Sequence, residues 1–408
     1  MKSIAMFFLC CLAAFNLLGQ NRSYREYATQ EVDRRLKKDH PQYVANKRLI
    51  EKHVKSFSER AILSGPVKIP LVFHILQNEK SNNTTISQVR AQVEVLNRCF
   101  AGQANSGISF ELAGTGKGQD RKDAVFHYPA GRNKWSTDDA VKHAVHGGAD
   151  ALFPTKCLNI WVCDLEGQAS GYAQMPGGPT STDGIVVDHD FFGLDNFNNP
   201  YYNGGKTLVH LVGNYLNLHD LWGLKTCSDD GVTDTPIHNT PTRGCPACLM
   251  YSGCNGKEKM MTGNYMDNTD DACLDSFTRG QIERMRSTLS EGGPREKLGR
   301  GPLPERLQEQ INNTASIKLE EEPVFSLHVF PNPASQEANL VVTSNDGKEV
   351  FIAVYNTLGS TIHFEKGLLT KGENRFAVEC KGWAEGPYYI TVNSQGGSCS
   401  QLLVVTHQ

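Results

Sequence analysis

The residues best suited to metal chemistry lie in a predicted helix over residues 207–221. Its His210 and Asn214 are four residues apart, the spacing that puts two side chains on one helix face. In the zinc-binding pattern His-Glu-x-x-His both positions are imidazoles, and the glutamate after the first is the general base for metal-bound water. Here Leu211 takes the place of that glutamate. Alone, the pattern is a weak signal, because a lone histidine on an amphipathic helix is more often structural than a ligand.

The composition restricts the class of protein that carries this helix. The chain has 408 residues, of which 39% are apolar and 21% charged, and its net charge is −3. Two or three domains with a substantial core fit these values, whereas disorder and collagen-like repetition do not. The chain has 41 basic and 44 acidic residues, so it has no excess of positive charge that would favour nucleic acid as a partner.

The N-terminus has the pattern of an export signal. Lys2 precedes an apolar run from Ile4 to Leu18, which is too short to span a bilayer. We therefore expect a signal peptide over residues 1–20 and no transmembrane segment. The ten cysteines outside this run favour disulfides in an exported chain.

Changes in residue pattern predict four further segments. Residues 21–65 are polar with helical periodicity and indicate a helical pro-segment, whereas 66–291 alternate strands with helices and indicate an α+β catalytic-type domain. Gly, Pro and acidic residues mark 292–322 as a linker, and the short alternating strands of 323–408 predict a small all-β sandwich. The elements predicted within the catalytic-type domain are strands over 68–76, 157–163 and 184–188 and helices over 86–100, 207–221 and 277–289.

Several stretches of residues 66–291 together resemble the pappalysin family of metzincin zinc proteases. They include Ile69-Pro-Leu-Val-Phe-His74, Leu158-Asn-Ile-Trp-Val-Cys163, Gly171-Tyr-Ala-Gln-Met-Pro-Gly-Gly178, Cys227-Ser-Asp-Asp-Gly-Val-Thr-Asp-Thr-Pro236 and Gly263-Asn-Tyr-Met-Asp267. The resemblance implies a twisted sheet plus an active-site helix, and it does not depend on the zinc motif.

The same resemblance assigns roles within the site. It implies that His210 is the first zinc ligand. It also implies that Leu211 stands at the position of the general base, Asn214 at that of the second ligand and Asp220 at that of the third. Met266 keeps the place of the Met-turn residue beneath the metal. The chain is therefore expected to be an inactive or impaired protease homologue that binds peptides or proteins in the old cleft.

The alternative is an active secreted zinc endopeptidase with a rebuilt site. In that case His210 and Asp220 hold zinc, with His219 as a further candidate ligand, although His219 is one residue away from the family's position. His189 or Asp190 is then a candidate substitute within the rebuilt site.

The N-terminal arm lacks the latch that related proteins often carry. That latch is a Cys-Gly-Thr whose thiolate can cap the zinc, and the corresponding stretch here is Tyr27-Ala28-Thr29. A chain without zinc has no use for such a thiol, so this difference agrees with a degraded site.

Five cysteines cluster after the predicted active-site helix. The resemblance implies the disulfides Cys227–Cys254 and Cys245–Cys273. Cys245 and Cys248 form a CxxC pair that resembles half a zinc ribbon, but without a second CxxC disulfide bonding is the better interpretation. No pairing is predicted for the remaining cysteines of this domain, which are Cys99, Cys157, Cys163 and Cys248.

Asp229, Asp230 and Asp234 lie in the loop where the family binds structural calcium. Clustered carboxylates suit a hard cation, so calcium is expected there. The alternative is a solvated acidic loop.

The C-terminal segment resembles the type IX secretion sorting domain. The matching stretches are Val329-Phe-Pro-Asn-Pro-Ala-Ser335, Val354-Tyr-Asn-Thr-Leu-Gly359, Gly386-Pro-Tyr-Tyr-Ile-Thr-Val392 and Gln401-Leu-Leu-Val-Val405. The resemblance implies export by that secretion machinery, with release or attachment at the outer-membrane surface. A carbohydrate-binding sandwich is the alternative, but no distinctive aromatic platform supports it. Cys380 and Cys399 are candidates for a bridge between strands.

Overall fold

The structure is a computed structural model, and it describes most of the chain from residue 24 onward. The described residues are 24–57, 65–77, 84–101, 106–194, 199–223, 226–254, 258–313, 325–356, 361–394 and 397–407. The predicted signal peptide lies outside them. None of the described helices is long and apolar enough to cross a membrane.

The N-terminal arm forms a short strand and two helices, β1 (Glu26–Tyr27), α1 (Thr29–Asp39) and α2 (Pro41–Phe57). Proline suits the first position of α2, where the missing N–H has no helical partner to lose. The apolar side chains of both helices face the domain and are buried: Val32, Leu36, Tyr43 and Ile50. The helices predicted for this segment are therefore present, and they pack onto the domain.

The catalytic-type domain is built on a seven-stranded sheet. Its further strands, with the small β4–β5 hairpin, are β2 (Val67–Gln77), β3 (Ile108–Leu112), β4 (Gly114–Thr115), β5 (Lys122–Asp123), β6 (Val125–Pro129), β7 (Leu158–Cys163), β8 (Ala169–Ala173) and β9 (Ile185–Asp188). The sheet order is β1-β8-β9-β7-β2-β3, and β6 also pairs with β2. The long β2 pairs with β3 through its first half and with β6 through its second half. All pairings are parallel except that of β8 with β9.

The remaining helices of the domain are α3 (Ile86–Ala101), α4 (Lys206–Tyr215), α5 (Arg279–Leu289) and α6 (Glu305–Asn313). The central strands are apolar runs because both faces of a parallel sheet are covered. Every residue of α4 is buried, and α3, α4 and α5 share one core cluster with the sheet. The capping box of Thr278 and Gln281 fixes the start of α5. The α+β prediction for this domain is confirmed.

Helix α4 is shorter than the sequence predicts. It ends at Tyr215, and Asn217 adopts a left-handed φ of 77° just beyond it. A left-handed residue interrupts a right-handed helix, and asparagine tolerates it better than most residues. The chain that carries His219 and Asp220 is therefore a loop that folds back on α4.

The structure also differs from the linker prediction for 292–322. Arg295 is buried, with its guanidinium 3.5 Å from the Tyr215 ring centroid and two nitrogens on the carboxylate of Asp183. Helix α6 buries Leu307 and Ile311 against the domain. Residues 292–313 therefore belong to the domain. Their glycines and prolines lie in turns of a folded extension and do not mark a linker.

The C-terminal residues form two antiparallel sheets that share one apolar core. The strands are β10 (Phe325–Phe330), β11 (Glu337–Ser344), β12 (Lys348–Asn356), β13 (Thr361–Leu369), β14 (Gly372–Glu379), β15 (Gly386–Ser394) and β16 (Gly397–Val405). Their order is β10-β11-β14 in one sheet and β13-β12-β15-β16 in the other. The predicted sandwich is confirmed. The suggested bridge is wrong, because Cys380 and Cys399 remain thiols.

The buried pair of Arg295 and Asp183 gives a test of the revised domain end. Arg295→Leu leaves a buried carboxylate without its cation, so we expect a loss of about 3–5 kcal/mol in the free energy of unfolding. The matched control is Arg300→Ala, whose exposed side chain donates a single bond to the Leu289 carbonyl. Urea denaturation measures both variants. A loss below about 1 kcal/mol for Arg295→Leu would contradict the assignment of this segment to the domain.

Candidate active-site cleft

The histidine of α4 is buried and held at both ring nitrogens. His210 Nδ1 lies 2.9 Å from the Tyr265 carbonyl oxygen, and Nε2 lies 2.9 Å from Asp220 Oδ1. Both residues are inaccessible, with His210 0% and Asp220 3% exposed. The loop after α4 therefore brings the predicted first and third ligand positions into direct hydrogen-bond contact.

Asn214, at the predicted second ligand position, completes this polar cluster. Its amide nitrogen donates to the Leu218 carbonyl at 3.1 Å and to Asp220 Oδ1 at 3.2 Å, while its amide oxygen accepts a hydrogen bond from the Thr29 hydroxyl at 3.0 Å. Burial works to raise the pKa of Asp220, but the hydrogen bonds from His210 and Asn214 hold it below its ordinary value.

Leu211, at the predicted position of the general base, lies in the apolar core. It is fully buried. A methyl group added at Gly171 of β8 would lie 2.7 Å from Leu211 Cδ1, so the side chain rests directly on that strand's backbone. An aliphatic side chain cannot accept a proton, and this one fills apolar space.

The Met-turn prediction agrees with the packing beneath α4. Met266 is fully buried. A methyl group added at Gly213 would lie 2.5 Å from the Met266 sulfur, so the helix approaches this side chain closely because residue 213 is glycine.

His219 does not join His210 and Asp220 among the described residues. Burial, together with the cations of Lys47 and Arg284, lowers the pKa of His219 to about 3. These neighbours place the imidazole beside α2 and α5. The suggestion that His219 is a zinc ligand is therefore not supported, because the loop after Tyr215 sends consecutive side chains in different directions.

The N-terminal arm lies in the cleft above this cluster. Strand β1 pairs in parallel with β8, and the Tyr27 ring stacks on His210 with centroids 3.6 Å apart and planes 9° from parallel. Gln30 Nε2 donates to Asp220 Oδ2 at 2.9 Å and to the Gly223 carbonyl at 2.8 Å. The arm therefore covers His210 and Asp220, two of the three side chains that the sequence offers as zinc ligands.

Arg25 anchors the arm in a buried acidic pocket. Its guanidinium donates to Asp271 at 2.6 Å, to the Thr269 carbonyl at 2.7 Å and to Asn268 and Thr207 at 3.2 Å each. The side chain is 0% exposed and also lies over the Tyr202 ring, 4.7 Å from its centroid. Every nitrogen of the guanidinium therefore has a partner in the domain.

The donor set at α4 does not fit a tetrahedral zinc. Such a site needs three or four nitrogen, sulfur or carboxylate ligands. Here only one imidazole and one carboxylate converge, the amide oxygen of Asn214 accepts from Thr29, and Tyr27 covers the imidazole face.

The acidic residues suggested for calcium do not converge on one centre in the part of the chain that the structure describes. Asp229 accepts from the Gly231 amide, Asp230 from Val232 and Thr235, and Asp234 from the Thr278 hydroxyl and the Gly280 amide at the start of α5. Burial raises the pKa of Asp230 to about 6. Calcium stays a prediction, and these contacts explain the carboxylates as turn and helix-cap acceptors.

Two disulfides close the loops around the cleft. Cys227 bonds to Cys254 and Cys245 to Cys273, as the sequence analysis predicts. The other described cysteines are thiols: Cys99, Cys157, Cys163, Cys248, Cys380 and Cys399.

Sequence patterns do not reveal the residues through which the arm occupies the cleft, because Arg25, Gln30 and Asp271 belong to no motif. The one signal in the sequence is Tyr27, at the position predicted to correspond to the latch cysteine. This signal indicates that the N-terminal arm lies near the site, but only the fold shows that the Tyr27 ring stacks on His210.

The sheet and the buried helix α4, with Met266 packed beneath it, have the architecture of a metalloprotease-type domain. A family profile described as pregnancy-associated plasma protein-A matches residues 145–290, and one for a secretion-system C-terminal sorting domain matches residues 328–406. An extracellular metalloprotease of Arthroderma otae is 30% identical over 248 residues, which cover 57% of this chain and 84% of that protein.

Two solved structures of Tannerella forsythia mirolysin are also similar. A promirolysin mutant has 30% identity and a TM-score of 0.59, and the match covers 70% of this chain and 97% of that one. Mature mirolysin in complex with a cleaved peptide has 32% identity and a TM-score of 0.53, over 58% of this chain and 97% of that one. This chain therefore belongs to the pregnancy-associated plasma protein-A, or pappalysin, family of metalloproteases and carries a secretion-system sorting domain.

The arm's anchor can be tested with Arg25→Met. The variant leaves Asp271 buried without its cation, although the backbone amides of Gly204 and Lys206 still donate to it. We expect a loss of about 3 kcal/mol in the free energy of unfolding and faster amide hydrogen exchange in β1. Arg34→Met, on the exposed face of α1, is the matched control. Unchanged exchange in Arg25→Met would show that the arm is held without this pair.

Proposed function

We propose that this chain is an exported, catalytically inactive pappalysin homologue whose cleft binds an extended peptide segment. The observation that carries the proposal is that Leu211, at the predicted position of the general base, is an aliphatic side chain in the apolar core. General-base assistance is worth roughly 10²–10⁴-fold in rate, and this position supplies none.

The contacts of the arm support a peptide-binding cleft. The arm pairs with the edge strand β8, as a bound peptide does when it adds a strand to a sheet. Its Arg25 pairs with Asp271, and its Tyr27 stacks on His210. A partner with an extended backbone, a basic side chain and an aromatic ring two residues later would reproduce these contacts, and it would compete with the arm.

The domain organisation supports an exported form. The promirolysin match covers more of this chain than the mature mirolysin match does, which supports a pro-segment-like role for the arm. The sorting-domain match supports recognition of the chain by a secretion machinery and its release or attachment at the outer-membrane surface. The signal peptide over residues 1–20 belongs to the same proposal.

The competing function is an active zinc endopeptidase with a rebuilt site. The observation that favours it is the convergence of His210 Nε2 and Asp220 Oδ1 at 2.9 Å, a separation that two ligands of one ion can also adopt. A third protein ligand and a base are needed as well, and Asn214 and Leu211 stand at those positions.

Zinc content and peptidase activity distinguish the two functions. We expect the full chain and His210→Ala to contain equal zinc after dialysis and to cleave no peptide, since His210 holds no ion. Asn214→His with Asp220→His is expected to add about one zinc per chain, because three imidazoles then converge. Adding Leu211→Glu in an Arg25→Met background is expected to raise turnover by roughly 10²–10⁴-fold over the same variant with Leu211.

The competing function makes the opposite prediction for the unaltered chain. Zinc that is lost in His210→Ala, together with peptide cleavage that is lost with it, would establish a rebuilt active site. Elemental analysis measures the first quantity and cleavage of a denatured protein substrate measures the second.

Peptide binding can be measured with the arm's own sequence. A fluorescent peptide of residues 24–31 is expected to bind Arg25→Met at least about tenfold more tightly than the unaltered chain, because the cleft is then free for a larger fraction of the time. The controls are a peptide with methionine in place of its arginine and the protein variant Arg34→Met. Equal affinity for both proteins would contradict binding in the cleft.

A further inference from the structure

A second cluster of ligand-type side chains lies at the ends of β7 and β9. These strands pair in parallel, with Cys163 opposite Asp188 at the last register position. Because parallel strands end at the same edge of the sheet, the residues that follow them are brought together. Asp164 directly follows β7, and His189 directly follows Asp188, the last residue of β9. The ligand atoms of Asp164 and Asp188 lie close together in space.

The donor atoms of the cluster converge on one point. His189 Nδ1 lies 2.5 Å from Asp164 Oδ1 and 3.9 Å from Asp188 Oδ1, and the three ligand atoms all lie within 4.8 Å of one another. This is the only such group of three or more histidine, cysteine or acidic side chains among the described residues. A fourth group is close by, since Asp190 Oδ1 lies 3.2 Å from His189 Nε2.

The buried carboxylate of this cluster is held in place by the backbone. Asp188 Oδ2 accepts from the Leu165 amide at 2.7 Å, and Oδ1 accepts from the Asp190 amide at 2.9 Å. The residue is 8% exposed. These two hydrogen bonds hold the carboxylate beside the donor atoms of Asp164 and His189.

We propose that Asp164, Asp188 and His189 bind a divalent transition-metal ion at a site that shares no residue with the cleft. The imidazole indicates which class of ion the site prefers. Zinc and other first-row transition metals bind imidazole together with carboxylates, whereas calcium is bound by oxygen ligands. The two carboxylates balance the charge of the ion, and the neutral imidazole supplies the nitrogen ligand.

The position of the site suggests what the ion does. Asp164 begins the loop that leads from β7 into β8, and β8 is the strand with which the arm pairs. An ion held by Asp164 and by the end of β9 therefore fixes this loop against the sheet. It acts as a structural clamp, and no catalytic step is assigned to it.

Zinc binding to the untagged full chain tests the proposal. After removal of metal with a chelator and titration with zinc, we expect about one site per chain and a raised melting temperature. His189→Gln and Asp164→Asn are each expected to weaken zinc binding at least tenfold, since even residues outside the ligand shell cost about 10–100-fold. The matched control is His143→Gln, a half-exposed histidine 4.0 Å from the single carboxylate of Asp150, and it is expected to keep the affinity.

The outcomes separate this site from the cleft. Zinc that persists in His210→Gln and is lost in His189→Gln supports the proposal. Absence of binding in the unaltered chain overturns it and leaves the proposed function standing. Zinc that is lost only in His210→Gln overturns both. If His189→Gln does not fold, Asp164→Asn decides, because this isosteric change removes the charge and keeps the shape. Equal melting temperatures without metal confirm that it folds.

Discussion

The carboxylate of Asp271 is the point on which the arrangement of the cleft depends. One oxygen accepts from the Arg25 guanidinium, and the other accepts the backbone amides of Gly204 and Lys206 at the start of α4. The first amides of a helix have no partner within it and carry partial positive charge, so a buried carboxylate there is stabilised. Asp271 lies two residues before the disulfide of Cys273, which ties its loop to the segment after α4. One side chain thus couples the arm, the helix and the surrounding loops.

Around Asp271, each of the three positions predicted to differ from the family's zinc site makes a structural contact. Leu211 packs on Gly171, Asn214 bonds to Thr29 and Asp220 bonds to Gln30. The last two contacts join the core of the domain to the arm. The arm supplies a hydrogen-bond donor to Asn214 Oδ1 and another to Asp220 Oδ2, and a buried acceptor without such a donor is costly.

Most of the fold could be predicted from the sequence, because periodicity reports which faces are buried. The apolar run of β2, the amphipathic pattern of α3 and the alternating strands of the sandwich all appear where the pattern places them. Predictions failed where local composition does not report tertiary contact. Residues 292–313 have the glycines and prolines of a linker, yet Arg295 is buried against Asp183. Helix α4 ends early because Asn217 turns left-handed, which a helical pattern cannot show.

The sequence by itself determined which chemical groups are available: Leu211 cannot act as a base wherever it lies, and the cysteine pairs after α4 follow the family's spacing. Only the tertiary structure decided which groups meet. Tyr27 and His210 are separated by more than 180 residues of chain, and their contact depends on β1 joining the sheet edge. The convergence of Asp164 with His189 likewise depends on two parallel strands ending in register. Residue types and local patterns are properties of the chain, whereas such contacts arise from the order of strands in the sheet.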